Sequence, residues 1–86
     1  MKLSIIGGTG PQGKGLALRF AKAGFEVALG SRDESRAIEV ADSLTSKNQN
    51  LVGSITGLSN SEAIAFTDKF VIFQYLGVVT TIHFLK

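Results

Sequence analysis

Gly8-Thr9-Gly10-Pro11-Gln12-Gly13 has the spacing G-x-G-x-x-G, and its flanks decide what that spacing means. The preceding Leu3-Ser4-Ile5-Ile6 is short, apolar and partly β-branched, as a buried strand is. Beyond the motif, Gly13, Leu16, Ala17, Phe20, Ala21 and Gly24 recur at helical spacing. Pro11 suits a first helical turn, where its missing N–H costs nothing, and Gly24 suits the left-handed residue just past a helix end. The spacing predicts a helix from about Pro11 to Ala23. Strand, glycine turn and helix in that order open a βαβ unit.

In that setting each glycine has a physical task. Gly8 supplies the tight turn, Gly10 leaves the backbone open to a pyrophosphate, and Gly13 lets helix and strand pack closely. The free N–H groups of the first helical turn, at the positive end of the helix dipole, then face the phosphates. The bland alternative is a glycine turn that only connects. Gly8, Gly13 and Lys14 also fit G-x-x-x-x-G-K, but Gly15 stands where that phosphate loop needs Ser or Thr for Mg²⁺. Lys14 therefore reads as a solvated helix residue.

Phe25 to Leu29 reads as a second strand, stopped by Gly30. Ser31-Arg32-Asp33-Glu34 has capping-box form with Ser31 as cap, and Ala37, Ile38, Ala41 and Leu44 supply the stripe of a helix to about Ser46. Lys47 to Asn50 is a polar connector, and Leu51 to Thr56 a third strand weakened by Gly53. Ser59-Asn60-Ser61-Glu62 repeats the capping box and opens a short helix through Ala63, Ile64 and Ala65. Phe70-Val71-Ile72-Phe73 is a fourth strand, apolar throughout, as strands covered on both faces are. From Leu76 to Lys86 the β-branched Val78 to Ile82 favour strand, but strand–helix alternation points to a helix, which is the expectation here. The fold class is α/β: a parallel sheet of about four strands with right-handed crossovers, half of a doubly wound sheet. Neither repeat nor linker divides residues 1–86.

Composition narrows the function classes. Nine Lys and Arg are scattered through 86 residues, without the basic stripe of a nucleic-acid binder. No cysteine is present, which excludes a disulfide scaffold, an iron–sulfur cluster and thiol catalysis, and one His cannot build a typical zinc site. No apolar run reaches membrane-spanning length and no signal-peptide pattern opens the chain, so the cytoplasm is the expected compartment.

The end of the second strand speaks to the choice of dinucleotide. An Asp or Glu about 20 residues past the glycine motif would accept from a ribose 2′-hydroxyl and select NAD. Here the chain has Gly30-Ser31-Arg32, with Arg36 one helical turn on. A hydroxyl and two guanidiniums bind a 2′-phosphate through charge-assisted hydrogen bonds, which favours NADP. Each has a plainer reading: Ser31 as a helix cap, Arg32 as a surface charge, Arg36 as a partner of Glu39 or Glu34. Asp33 would oppose the phosphate if it turned inward. His83, Tyr75, Lys14 and Lys69 are the groups able to transfer protons, and no spacing brings them together. His83 reads as a packed or surface residue, and Tyr75 as core or cofactor-edge packing.

Ile5 to Gly10, Gly13 to Arg19, Gly30-Ser31-Arg32 and Ile55-Thr56-Gly57 together resemble the NADPH-dependent reductases of the deazaflavin coenzyme F-420. The resemblance covers essentially the whole chain. It implies a Rossmann-like NADP-binding fold and hydride transfer between NADP and the deazaflavin. It implies also that Thr9, Gly10, Pro11 and Gln12 line the pyrophosphate and that Ser31, Arg32 and Arg36 hold the 2′-phosphate. Two departures stand out. Gln74 occupies the place of a proline expected before the aromatic Tyr75, beside the nicotinamide. The family's chain also runs on through further strands and a C-terminal deazaflavin-binding domain, so this one looks like a truncated N-terminal part.

Three functions compete on these grounds: an NADP-dependent reductase of the deazaflavin type that needs completing, a non-catalytic NADP-binding module, and part of an NADP-dependent reductase for another substrate. With strands beyond the fourth missing, Phe70 to Phe73 would form an apolar open edge, and self-association through it is expected.

Overall fold

The computed structural model describes residues 1–7, 9–67, 70–75 and 78–83. Gly8, Lys69, Leu76 and the last three residues, on which some of the expectations above fall, lie outside that set. In chain order the elements are β1 (Lys2–Ile6), α1 (Pro11–Lys22), β2 (Glu26–Ser31), α2 (Glu34–Lys47), β3 (Ser54–Ser59), α3 (Asn60–Phe66), β4 (Phe70–Tyr75) and β5 (Val78–His83).

These strands make one sheet in the order β3-β2-β1-β4-β5. The first four are mutually parallel, so their carboxyl ends reach one edge together. Ile6 lies opposite Gly30 and Phe73, and Ser31 lies opposite Ser59. Alternating side chains divide the core between the two sheet faces. Leu3, Ile5, Val27, Leu29 and Ile55 meet Ala17 and Ala21 of α1 and Ala41 and Leu44 of α2. Ile6 and Ala28 meet Ala63 of α3 on the other face. Small residues on every helix allow this closeness. At Gly57 the missing β-carbon leaves room for the Ala37 backbone of α2.

Polar side chains tie α3 down. The fully buried Ser4 hydroxyl donates to the Ala63 carbonyl at 2.5 Å, and Thr67 donates to the Lys2 carbonyl at 3.3 Å. The Ser59–Glu62 capping box forms as its spacing predicts. At the other end of the sheet Gly24 takes φ +102° after α1, the left-handed conformation expected there.

Three local expectations are corrected. Val78–His83 is a strand antiparallel to β4, not a helix; its β-branched propensity overrides the alternation. β4 is consequently interior, with β1 on one side and β5 on the other, and is not an open edge. The third strand begins at Ser54 rather than Leu51, because Gly53 is held by the Ala21 carbonyl at 2.8 Å and crowds the Phe25 backbone. Among the described residues, no helix is long and apolar enough to cross a membrane.

Candidate functional site

The glycine turn leaves β1 at Ile6 and enters α1 at Pro11. Gly7 has φ +71°, a left-handed step at the start of the turn; the expectation for Gly8 lies outside the described residues. Gly10 is the N-cap at φ −78° and ψ 174°, an extended conformation open to any residue. A β-carbon placed on Gly10 would meet nothing within 4 Å. Among the described residues, neither backbone nor packing demands glycine there.

The helix entrance is equally prepared. The first intrahelical bond runs from the Lys14 N–H to the Gly10 carbonyl at 3.0 Å, and the Gly13 N–H precedes it. No side chain caps the helix and no acidic residue stands in its first turn, so the positive end of the dipole is not locally neutralised. Gly13 is buried, as its packing task requires. Thr9 is half-buried and Gln12 exposed beside the turn. Lys14 lines a groove with Glu39, Ser43 and Lys47 along α2, which leaves the phosphate-loop alternative without its lysine.

At the end of β2 the cap assignment changes. Ser31 is the last residue of the strand, and its Oγ accepts the Asp33 N–H at 3.1 Å. Asp33 is the N-cap of α2, its carboxylate accepting the Arg36 N–H at 3.3 Å. The strand simply runs two residues further than Leu29 before the helix starts. This arrangement resolves the electrostatic conflict at Asp33, whose carboxylate is engaged by the helix backbone. The Ser31 oxygen is used as an acceptor, which leaves its hydrogen to donate. Arg32 and Arg36 are both exposed, and among the described residues neither is held in an ion pair.

The nearest titrating pair lies between α2 and α3. A hydrogen bond to Glu62 holds Glu34 above the ordinary carboxylate value, and the same bond holds Glu62 below it. Ser59 adds a second donor to Glu62, at 2.9 Å. Of the proton-transfer candidates, Tyr75 is the last residue of β4, and His83 is registered against Phe70 at the strand's beginning.

The residues present therefore fit a dinucleotide. Gly10, Gly13, Ser31, Arg32 and Arg36 gather around the carboxyl ends of β1 and β2, with open space at the turn and uncommitted cations at the strand end. Two residues were not marked by the sequence: Gly7, whose positive φ lies just ahead of the G-x-G-x-x-G motif, and Asn60. Asn60 gave no signal beyond following a cap.

Residues 2–78 match the family described as NADP oxidoreductase coenzyme F420-dependent. The F420-dependent NADP reductase of Methanothermobacter thermautotrophicus is 47% identical over 76 residues, covering 84% of this chain and 31% of that protein. Its counterpart in Methanothermobacter marburgensis is 44% identical over 63 residues, covering 73% of this chain and 28% of its own. That of Methanocaldococcus jannaschii is 38% identical over 89 aligned positions, covering 100% of this chain and 40% of its own. The chain thus spans about a third of the length of the curated relatives it matches.

Proposed function

The chain belongs to the family of coenzyme F-420-dependent NADP oxidoreductases, and from that premise we propose that its glycine turn and the end of β2 form the NADP(H) site of a hydride-transferring reductase. The observation that carries this reading is the state of Asp33. The Asp33 carboxylate, which could repel a 2′-phosphate from the end of β2, is bonded to the helix backbone, while Ser31 and Arg32 are left to bind.

The roles follow from position. Gly8, Thr9, Gly10, Pro11, Gln12 and Gly13 surround the pyrophosphate, with the Gly13 N–H and the α1 dipole turned toward it. Ser31 donates its hydroxyl hydrogen to the 2′-phosphate, and Arg32 and Arg36 supply charge. NADPH, when bound, supplies the hydride. This chain's residues hold and select the nucleotide, and the deazaflavin acceptor comes from the name its relatives carry.

Calorimetric titration with NADP, NAD and adenosine 2′,5′-bisphosphate tests the reading. NADP and the bisphosphate are expected to bind, and NAD more weakly. Equal affinity for NADP and NAD would defeat it. Turnover of NADPH with the deazaflavin, measured separately, distinguishes a reductase from a nucleotide-binding module. Self-association now has the outer edges of β3 and β5 to run through.

A further inference from the structure

Asn60 is half-buried, yet its side-chain carbonyl oxygen is enclosed and accepts no hydrogen bond from a described donor. That oxygen is lodged against β2. A β-carbon on Gly30 would stand 2.9 Å from it, 2.9 Å from the Ala63 methyl and 3.3 Å from the Ile6 side chain. An amide carbonyl among such neighbours is costly, and an alanine would avoid the cost entirely. The fold gives no reason to keep it. The helix that Asn60 begins is already capped by Ser59 and Glu62.

Position supplies a reason. Asn60 follows Ser59, and Ser59 is the register partner of Ser31. Asn60 therefore stands at the carboxyl edge of the sheet, beside Gly30-Ser31-Arg32. Its carbonyl faces Gly30, and the amide nitrogen on the same planar group, which points in a different direction, carries two N–H donors.

We propose that Asn60 is a specificity-determining residue of the nucleotide site: its amide nitrogen donates to the 2′-phosphate of the adenosine ribose, and its carbonyl, lodged against Gly30, fixes that direction. The proposal rests on the NADP reading above. The ligand chemistry is a 2′-phosphorylated adenosine, recognised by a hydroxyl, a guanidinium and an amide from two adjacent strand ends. Gly30 gains a task here too, since any side chain there would displace the Asn60 carbonyl.

Calorimetry with NADP and NAD on the parent chain, Asn60→Asp, Asn60→Ala and Arg32→Ala, beside ligand-free thermal melts, tests the proposal. Asn60→Asp keeps the shape but turns a carboxylate toward the phosphate. It is expected to weaken NADP about tenfold or more and NAD by less than about threefold. Asn60→Ala removes the unsatisfied carbonyl, so it should weaken NADP about fivefold without lowering the ligand-free melting temperature. Should Asn60→Asp fail to fold, Asn60→Ala carries the test by itself. Parent-like NADP binding in the folded Asn60 variants, with a loss in Arg32→Ala, would remove Asn60 from the site and leave the NADP reading standing. Equal losses for both nucleotides with a lowered melting temperature would make Asn60 a structural residue and overturn the proposal. A parent chain without preference for NADP would bring down the NADP reading itself, and this proposal with it.

Discussion

The Ser31 hydroxyl accepts the Asp33 N–H at 3.1 Å, and through this contact the strand end and the helix cap become separate posts. Ser31 finishes the strand and Asp33 caps the helix. Arg32, between them, has no structural duty among the described contacts and is exposed. Arg32→Ala should therefore leave stability nearly unchanged and cost NADP binding about 1.5–3 kcal/mol, the range for a charge-assisted hydrogen bond. NAD binding should barely change. Calorimetry on both nucleotides checks this, and equal losses would place Arg32 outside the 2′-phosphate site.

Gly10 and Gly13 belong to one motif but answer to different demands. Gly13 is buried in the helix–sheet contact, whereas a β-carbon on Gly10 meets nothing. Gly10→Val should yield a folded domain, weakened by about 1 kcal/mol because valine is a poor N-cap. Its dinucleotide binding should disappear, since the added methyls stand in the pyrophosphate's approach. Circular dichroism beside a binding titration reads both effects. Retained affinity in the folded variant would reduce the turn to a connector.

How far the sequence carried depended on whether local chemistry was decisive. The glycine turn, the Pro11 start of α1 and the Ser59 cap were legible because each residue does its work within a few positions. Ser31 and Asp33 were not, because both are good caps and only the length of β2, set by pairing with Ser59, chooses between them. The tail was misread for a related reason. Alternation is a rule about folds, and β5 obeyed its β-branched residues and the free side of β4 instead. Asn60 was invisible, since its environment is built by Gly30 of β2 and Ile6 of β1 together with Ala63 of its own helix.

Glycines outside the turn give opposite expectations that one melting experiment can compare. Gly57 has the Ala37 backbone where its β-carbon would be, so Gly57→Ala must push α2 off β3. A loss of about 3 kcal/mol is expected, at the upper end for overpacking. Gly15 lies inside α1, exposed, with nothing within 4 Å of its would-be β-carbon. Gly15→Ala should stabilise by about 0.5–1 kcal/mol through helix propensity alone. Similar shifts in the two variants would contradict the close α2–β3 contact.

The Glu34–Glu62 pair sets an acid dependence whose sign follows from its hydrogen bond. Glu34 is held above its ordinary value, so it favours the fold while protonated, and that contribution is lost as pH rises through its folded value. Glu62 is held below, so its contribution is present above the ordinary carboxylate range and is lost as pH falls through its folded value. Both are fully exposed, and solvent screening keeps the effect small. Glu34→Gln retains a donor to Glu62 at every pH and removes the repulsion. The variant should melt above the parent near neutrality, with the difference narrowing as the parent's Glu34 takes up its proton. Melting curves across the acid range test this, and a gap that stays constant with pH would dismiss the pair.

The last expectation concerns the sheet edge. β4 pairs with β1 on one side and is closed on the other by β5, from Phe70 opposite His83 to Tyr75 opposite Val78. Without β5, a row of backbone N–H and C=O groups along Phe70-Val71-Ile72-Phe73 would face solvent in a wholly apolar sequence, the kind of edge that recruits a strand from a second copy. A chain ending at residue 77 should therefore self-associate at concentrations where the 86-residue chain associates less. Lysine at Ile72 in the shortened chain should reverse the effect, because a charge on an edge strand opposes pairing. Light scattering over a dilution series of the three chains measures it. Identical masses for the long and shortened chains would mean that β5 does not protect the β4 edge in solution.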